Sequence, residues 1–190
     1  MIRLAGGLCL VLCAAAECGP PCRAGVESAA AAEPSVSVRA VGRLRHGVMA
    51  LGGETTGTTL SAGGVTWEVR LAEADRERAA ALHKKTVVAA GRLRRLVAVE
   101  TGVRWIIDAE TLESPEKPPE PGTEMTVVGT VRGGSVEADG QTWPVELPPG
   151  ADAPAGLIRL TGRLRPADEK DAATPGPIEV ETLVSEPAPQ

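Results

Sequence analysis

The sequence predicts an almost entirely β protein built from two diverged copies of one small barrel-like module. Three observations support this prediction. Segments that alternate apolar and polar residues recur between residues 35 and 185, as expected for strands with one buried face. The same short motifs return in the same order in both halves of that range. A proline-rich stretch at residues 114–122 separates the halves and has the composition of a semi-rigid spacer.

Four short motifs occur twice, at residues 41–45 and 128–132, 64–67 and 140–143, 91–94 and 162–165, and 110–112 and 181–183. The spacing between equivalent residues falls from 87 at the first motif to 71 at the last, so the first copy carries insertions. Loops tolerate extra residues better than strands do. We therefore expect the insertions between the first and third strands, and between the third and fourth.

Each copy is predicted to contain five strands. In the first copy, residues 36–44 alternate with a period of two, and Met125, Val127 and Val131 keep the same phase in the second. The inward residues of the later strands of the first copy are Val65, Trp67, Val69 and Leu71, then Val87, Ala89, Gly91 and Leu93, then Trp105, Ile107 and Ala109. Gly63 with Gly64, and Asp139 with Gly140, predict two-residue hairpin turns before the third strand of each copy.

A short helix is predicted in the first copy alone, within residues 72–85. Asp75 is expected to cap its start, and Ala79 and Leu82 to share its buried face. Lys84 and Lys85 suit the negative end of the helix dipole. The second copy has prolines at 148, 149 and 154 in this place, so it is predicted to form a loop instead.

The order strand, strand, strand, helix, strand, strand is that of the OB-fold, a closed five-stranded barrel. The fold class is therefore mainly β, with two tandem five-stranded OB-like barrels of which the first has one short helix between its third and fourth strands. The pattern of strands and glycines resembles that of bacterial exported OB-fold proteins. This resemblance implies binding through the second and third strands and through the loops after the first and fourth. Whether the second barrel closes fully without its helix is left open.

The predicted domain organisation follows from these elements. Barrel one spans residues 35–113, the linker 114–122, barrel two 123–185 and a tail 186–190. We expect each barrel to enclose its own small core, with Trp67, Trp105 and Trp143 packed inside. Four repeated glycines, Gly42, Gly91, Gly129 and Gly162, are expected to let strands coil sharply or to let Trp67 or Trp143 lie against the backbone.

The N-terminal segment predicts export. A basic residue precedes an apolar run that is too short to span a bilayer, and small residues follow it, so residues 1–16 have the layout of a signal peptide before a flexible leader at 17–34. The expected location is periplasmic or extracellular. Cys18 and Cys22 would remain after cleavage and could pair there. Attachment to lipid through Cys18 is the minor alternative.

Composition disfavours several classes of function. The chain carries a formal charge of −5 and has neither Tyr nor Phe, which disfavours nucleic acid as a partner. His46 and His83 lack a third ligand at metal spacing, so no metal site is predicted. No nucleophile with a neighbouring base is evident, and we predict no enzyme activity and no cofactor.

The outward arginines Arg43, Arg45, Arg92 and Arg94 could form a basic stripe for an acidic polymer. The competing interpretation, which we favour, is a ladder of cross-strand ion pairs. In this ladder Asp108 and Glu110 pair with arginines of the first copy. In the second copy Glu179 and Glu181 face Arg163 and Arg165.

The candidate binding site is the insertion after the first strand. Glu54, Thr55, Thr56 and Thr58 offer a carboxylate and hydroxyls between glycines at the rim of barrel one. Two hypotheses follow. The chain is a non-enzymatic module that binds a small polar ligand or a protein partner at this rim, or it is a structural spacer in the cell envelope with no ligand.

Overall fold

A computed structural model describes residues 32–48, 57–99, 102–117, 119–152, 154–166 and 176–187. The predicted signal peptide, nearly all of the leader with Cys18 and Cys22, and the last three residues of the tail lie outside this set. Residues Ala31 to Gln190 belong to one compact unit. None of the helices in the described ranges is long and apolar enough to cross a membrane.

The first copy contains five strands and one short helix. Its elements are β1 (Ser35–His46), β2 (Thr58–Ala62), β3 (Val65–Arg70), a 3₁₀ turn (Glu73–Asp75), α1 (Arg76–Ala81), β4 (Thr86–Ala98) and β5 (Gly102–Glu113). Strand β1 pairs with β2, β2 with β3, β3 in parallel with β5, β5 with β4, and β4 with β1 again. This circuit is a closed five-stranded barrel. The prediction of a mainly β fold with a barrel and one short helix is confirmed.

The second copy contributes further strands that pair in the same order. They are β6 (Gly122–Arg132), β7 (Ser135–Ala138), β8 (Gln141–Glu146), β9 (Leu157–Leu164) and β10 (Ile178–Ser185). Strand β6 pairs with β7 and β9, β7 with β8, β8 in parallel with β10, and β10 with β9. The arrangement is compatible with an OB-like architecture. The residues described between β8 and β9 form a loop with a turn from Pro148 to Ala151 and no helix.

The helix of the first copy differs in detail from the prediction. Asp75 occupies the position before α1, but its side chain makes no capping hydrogen bond, so the predicted cap is wrong. Ala79 and Leu82 are buried as predicted. The backbone leaves the helix through Lys84, which has a positive φ of 65° and donates its N–H to the carbonyl of Leu44 at 2.8 Å. The segment after α1 is therefore fixed to the end of β1.

The two copies are joined by antiparallel pairing of β1 with β6, from Ser35 opposite Val128 to Val41 opposite Gly122. At the centre Val38 faces Met125, which is its own equivalent 87 residues later. The pairing is thus related by a local two-fold axis. Because directly opposite residues share a sheet face, the inward side chains of both copies form one buried cluster. The expectation of two separate cores is wrong.

Trp67 and Trp143 are buried, as predicted, whereas Trp105 is only partly buried, and all three take part in contacts that link the copies. Trp67 is fully buried, and its Nε1–H donates to Thr123 Oγ1 at 3.1 Å. Trp105 packs against Trp143 with 4.8 Å between ring centroids. The Nε1 of buried Trp143 has no hydrogen-bond partner. The position equivalent to Thr123 in the first copy is Val36, which offers no acceptor.

The four repeated glycines stand where one strand crosses close to another. A Cβ on Gly42 would lie 2.0 Å from the carbonyl oxygen of Ser61, and one on Gly129 would lie 2.3 Å from that of Glu137. Gly91 and Gly162 meet the carbonyls of Asp108 and Glu179 at 2.1 and 2.2 Å. Their structural role agrees with the prediction. The atom nearest each glycine is a backbone carbonyl oxygen of a neighbouring strand, and neither Trp67 nor Trp143 is among the three nearest atoms.

Candidate functional site

The predicted binding residues lie at the connection between β1 and β2. Glu54, Thr55 and Thr56 fall outside the described residues. Thr58 is the first residue of β2 and is 1% exposed. Its hydroxyl lies 2.8 Å from Nδ1 of His46. Thr58 is therefore part of the structure that supports the connection, and its buried hydroxyl is not accessible to a ligand.

Hydrogen bonds close the neck of this connection. The N–H of Val48 donates to the carbonyl of Gly57 at 3.0 Å, next to the bond between the His46 ring and Thr58. The backbone N–H of His46 also donates to Nδ1 of His83 at 3.1 Å, which ties the neck to the segment after α1. The two histidines, which sequence analysis treated as isolated, are thus brought together by β1 and that segment. Their separation of 37 residues gave no signal of this contact.

The second copy has a minimal turn at the same place. Gly133 and Gly134 connect β6 to β7, both with positive φ, at 54° and 79°. The first copy has residues 47–57 between its corresponding strands. The inserted segment is thus built on a scaffold that needs only two residues for the connection. The first copy therefore has a longer connection than the second between these equivalent strands.

Ion pairs lie on the outer faces of both copies, and those of the second copy agree with the predicted ladder. In the second copy Arg163 pairs with Glu181 at 3.3 Å, and Arg165 pairs with Glu179 at 3.3 Å and with Glu146 at 3.5 Å. Both arginines are therefore paired with carboxylates. The favoured interpretation of these arginines therefore holds in the second copy.

The ladder is incomplete in the first copy. Asp108 lies 3.2 Å from Arg94 and 3.5 Å from Arg70. The residue equivalent to Arg70 in the second copy is Glu146, so the first copy has a second cation where the second copy has a carboxylate. These contacts have ion-pair distances without hydrogen-bond geometry, and Asp108 Oδ1 has no hydrogen-bond donor. Arg92 pairs with Asp139 in the β7–β8 turn at 3.2 Å, so the predicted role of Glu110 is not found among the ion pairs described here. A shallow cavity of about 450 Å³ lies between Arg70, Arg92 and Glu110.

A second feature that sequence analysis missed is the pair of Glu68 and Arg104. Both oxygens of Glu68 accept hydrogen bonds from Arg104, and the side chains are only 18% and 9% exposed. The two residues project from the parallel neighbours β3 and β5. Outward polar positions on two strands were visible in the sequence, but the parallel pairing that brings them together was not.

Four cations lie beside the neck and form what we call the basic cluster: Arg43, Arg45, Lys84 and Lys85. All four are exposed, and none makes an ion pair with another residue in the described ranges. The N–H of Leu44, between the two arginines, donates to the carbonyl of Lys85 at 3.0 Å. The predicted ladder is wrong for Arg43 and Arg45. They lie on β1, out of reach of β5, whose neighbours are β3 and β4.

The described ranges contain no group of three or more His, Cys, Asp or Glu side chains that could hold a metal ion. No family model, curated protein or solved structure shows a significant match to the chain. The inserted loop, its hydrogen-bonded neck and the basic cluster distinguish this end of the first copy from the equivalent end of the second.

Proposed function

We propose that the protein is an exported, non-enzymatic module of two OB-like barrels, similar in plan to bacterial exported OB-fold proteins. The rim of the first barrel, residues 47–57 with the basic cluster, binds a small polar ligand or a protein partner. The second barrel supports the first through the β1–β6 pairing. Export follows from the signal-peptide layout of residues 1–16.

The observation that best supports this proposal is the neck of the inserted loop, where Val48 bonds to Gly57 and His46 to Thr58. A connection that serves only to reverse the chain needs two residues, as Gly133 and Gly134 illustrate. The first copy retains a longer segment rich in glycine and threonine, and it fixes both ends through Val48, Gly57 and His46. Binding residues are commonly held on loops above a rigid scaffold. A segment with a fixed base and many backbone donors fits that description.

A structural spacer in the envelope is the second candidate. The shared core and the paired charges of the second copy favour it, because they give a stiff and well-solvated body. A spacer makes no use of an inserted loop. The two functions therefore differ in what happens when the loop is removed.

Replacement of residues 47–57 by the Gly-Gly turn of the second copy tests the proposal. We expect the variant to fold, with a melting temperature within several degrees of the parent, since shortening the loop to two residues changes the closure free energy by only about 1.5 kcal/mol. Thermal shift with envelope extract fractions, followed by fractionation, should detect a stabilising ligand with the parent and not with the variant.

Point variants locate the effect within the loop. Glu54→Ala and Thr56→Ala should abolish the ligand-induced shift without lowering the melting temperature of the protein alone. Glu137→Ala is the matched control, because Glu137 is an exposed carboxylate beside the short turn of the second copy. A shift that survives loop replacement contradicts the proposal, and the absence of any shift with the parent favours the spacer.

A further inference from the structure

We propose that the basic cluster binds an extended acidic segment of a partner protein. The inference deepens the proposed function, and it rests on that function for the idea that the first barrel's rim is a recognition surface. It names the chemistry of the partner: carboxylates presented on an extended peptide.

Among the described residues, no carboxylate balances the charge of the cluster. The residues opposite Arg43 on the neighbouring strands are Ser61 and Thr86, and the residue opposite Arg45 is Thr59. None of these neighbours carries a carboxylate. The chain as a whole has a formal charge of −5, so four exposed cations at one end of a barrel are a local exception. Such a patch attracts an anionic partner and speeds its association.

The second copy shows that the fold does not require these cations. The position equivalent to Arg43 is Thr130, and the position equivalent to Arg45 is Arg132. Arg132 lies 3.6 Å from Glu137, so the one cation retained there is paired. The same strand thus carries neutralised charge in one copy and accessible charge in the other. A role in barrel stability does not explain this difference.

The spacing of the arginines favours a peptide. Arg43 and Arg45 are alternate residues on one strand, about 6.6 Å apart along it, and side chains on one side of an extended peptide have the same spacing. Guanidinium groups bind carboxylates through two parallel hydrogen bonds. Nucleic acid fits less well. The chain has no Tyr or Phe, Trp67 and Trp143 are buried, and Trp105 packs against Trp143, so stacking surfaces for bases are scarce.

A peptide probe tests the inference on the full chain. A fluorescent eight-residue peptide of alternating Glu and Thr should bind, and the Gln and Thr peptide should not. The double variant Arg43→Gln with Arg45→Gln should weaken binding about tenfold, since two exposed charge pairs are removed. Arg132→Gln is the matched control and should change affinity less than twofold. Affinity should also fall as salt is raised.

Several outcomes overturn the inference. Equal affinity of the double variant and the parent would do so, provided that tryptophan fluorescence shows both folded. Comparable binding of the Gln peptide would also do so. Tighter binding of oligothymidylate or of anionic lipid vesicles than of the acidic peptide would assign the cluster to another class of partner.

The loop replacement separates this inference from the proposed function. Peptide binding that survives loop replacement but not the arginine changes supports the cluster alone. A ligand-induced shift that needs the loop, together with peptide binding that does not need the arginines, supports the proposed function and refutes the cluster's role.

Discussion

The two copies agree in their interior and differ at their surface. Both place glycine where strands cross, and both bury a tryptophan on the third strand. On the outside, the second copy pairs its charges and turns in two residues, whereas the first has an inserted loop and unbalanced cations. The comparison indicates that packing constrains both halves of the chain equally, while the residues proposed for recognition lie in one of them.

The largest expected effect tests the equivalence of the interiors. Gly42→Ala and Gly129→Ala should each cost at least about 3 kcal/mol of unfolding free energy, because a backbone carbonyl about 2 Å away cannot yield like a side chain. Gly133→Ala should cost about 1 kcal/mol, since only its positive φ is strained and nothing lies within 4 Å. Urea unfolding gives these values. The interiors are not equivalent if Gly42→Ala costs no more than Gly133→Ala.

An intermediate effect concerns the two buried indoles. Thr123→Val should cost about 1–2 kcal/mol, because Trp67 then loses the acceptor of its N–H. Val36→Thr introduces the matching hydroxyl for Trp143 and should cost less than about 1 kcal/mol. Val127→Thr, which buries a hydroxyl on the facing strand, should cost about 1–3 kcal/mol. Thermal and urea unfolding compare the three, and equal costs for the two valine changes would argue against the copies' equivalence here.

The smallest effect is expected at the surface ion pairs. Asp108→Asn should cost up to about 1 kcal/mol, because Arg70 and Arg94 lose the carboxylate they share. Glu179→Gln should cost less, since Arg165 keeps Glu146 as a partner. The difference should shrink at 1 M salt, where exposed charges are screened. A larger cost for Glu179→Gln would reverse this part of the comparison.

Local patterns in the sequence were enough to predict the strands and turns. The alternation around Val38 and Trp67 gives the buried face directly, and the positive φ values of Gly63, Gly64 and Asp139 match the predicted hairpins. The β1–β6 pairing could not be predicted in this way. It joins backbone groups along a strand edge, and the alternation of side chains is the same whichever strand lies alongside. The shared core follows from that pairing and was missed with it.

The site could be predicted only in part. The mismatch in repeat spacing located the insertion after β1, but Thr58, predicted to bind a ligand, is the buried first residue of β2, and its hydroxyl is engaged with His46. The basic cluster depends on Lys84 and Lys85 returning to Leu44 after α1. That return is a tertiary contact over about 40 residues, with no motif to mark it. The partner of Arg92, Asp139, belongs to the other copy and was equally beyond local patterns.

The pairing of β1 with β6 also governs the order of assembly. The half of β1 from Ser35 to Val41 has no pairing partner on this edge until β6, which lies much later in the chain, has been synthesised. During that interval it is an open edge, and open edges recruit strands from other molecules. The linker of residues 114–121 keeps the correct partner close, at an effective concentration that a neighbouring molecule rarely matches. Lengthening this tether should therefore raise the share of interlocked dimers formed during refolding at high protein concentration.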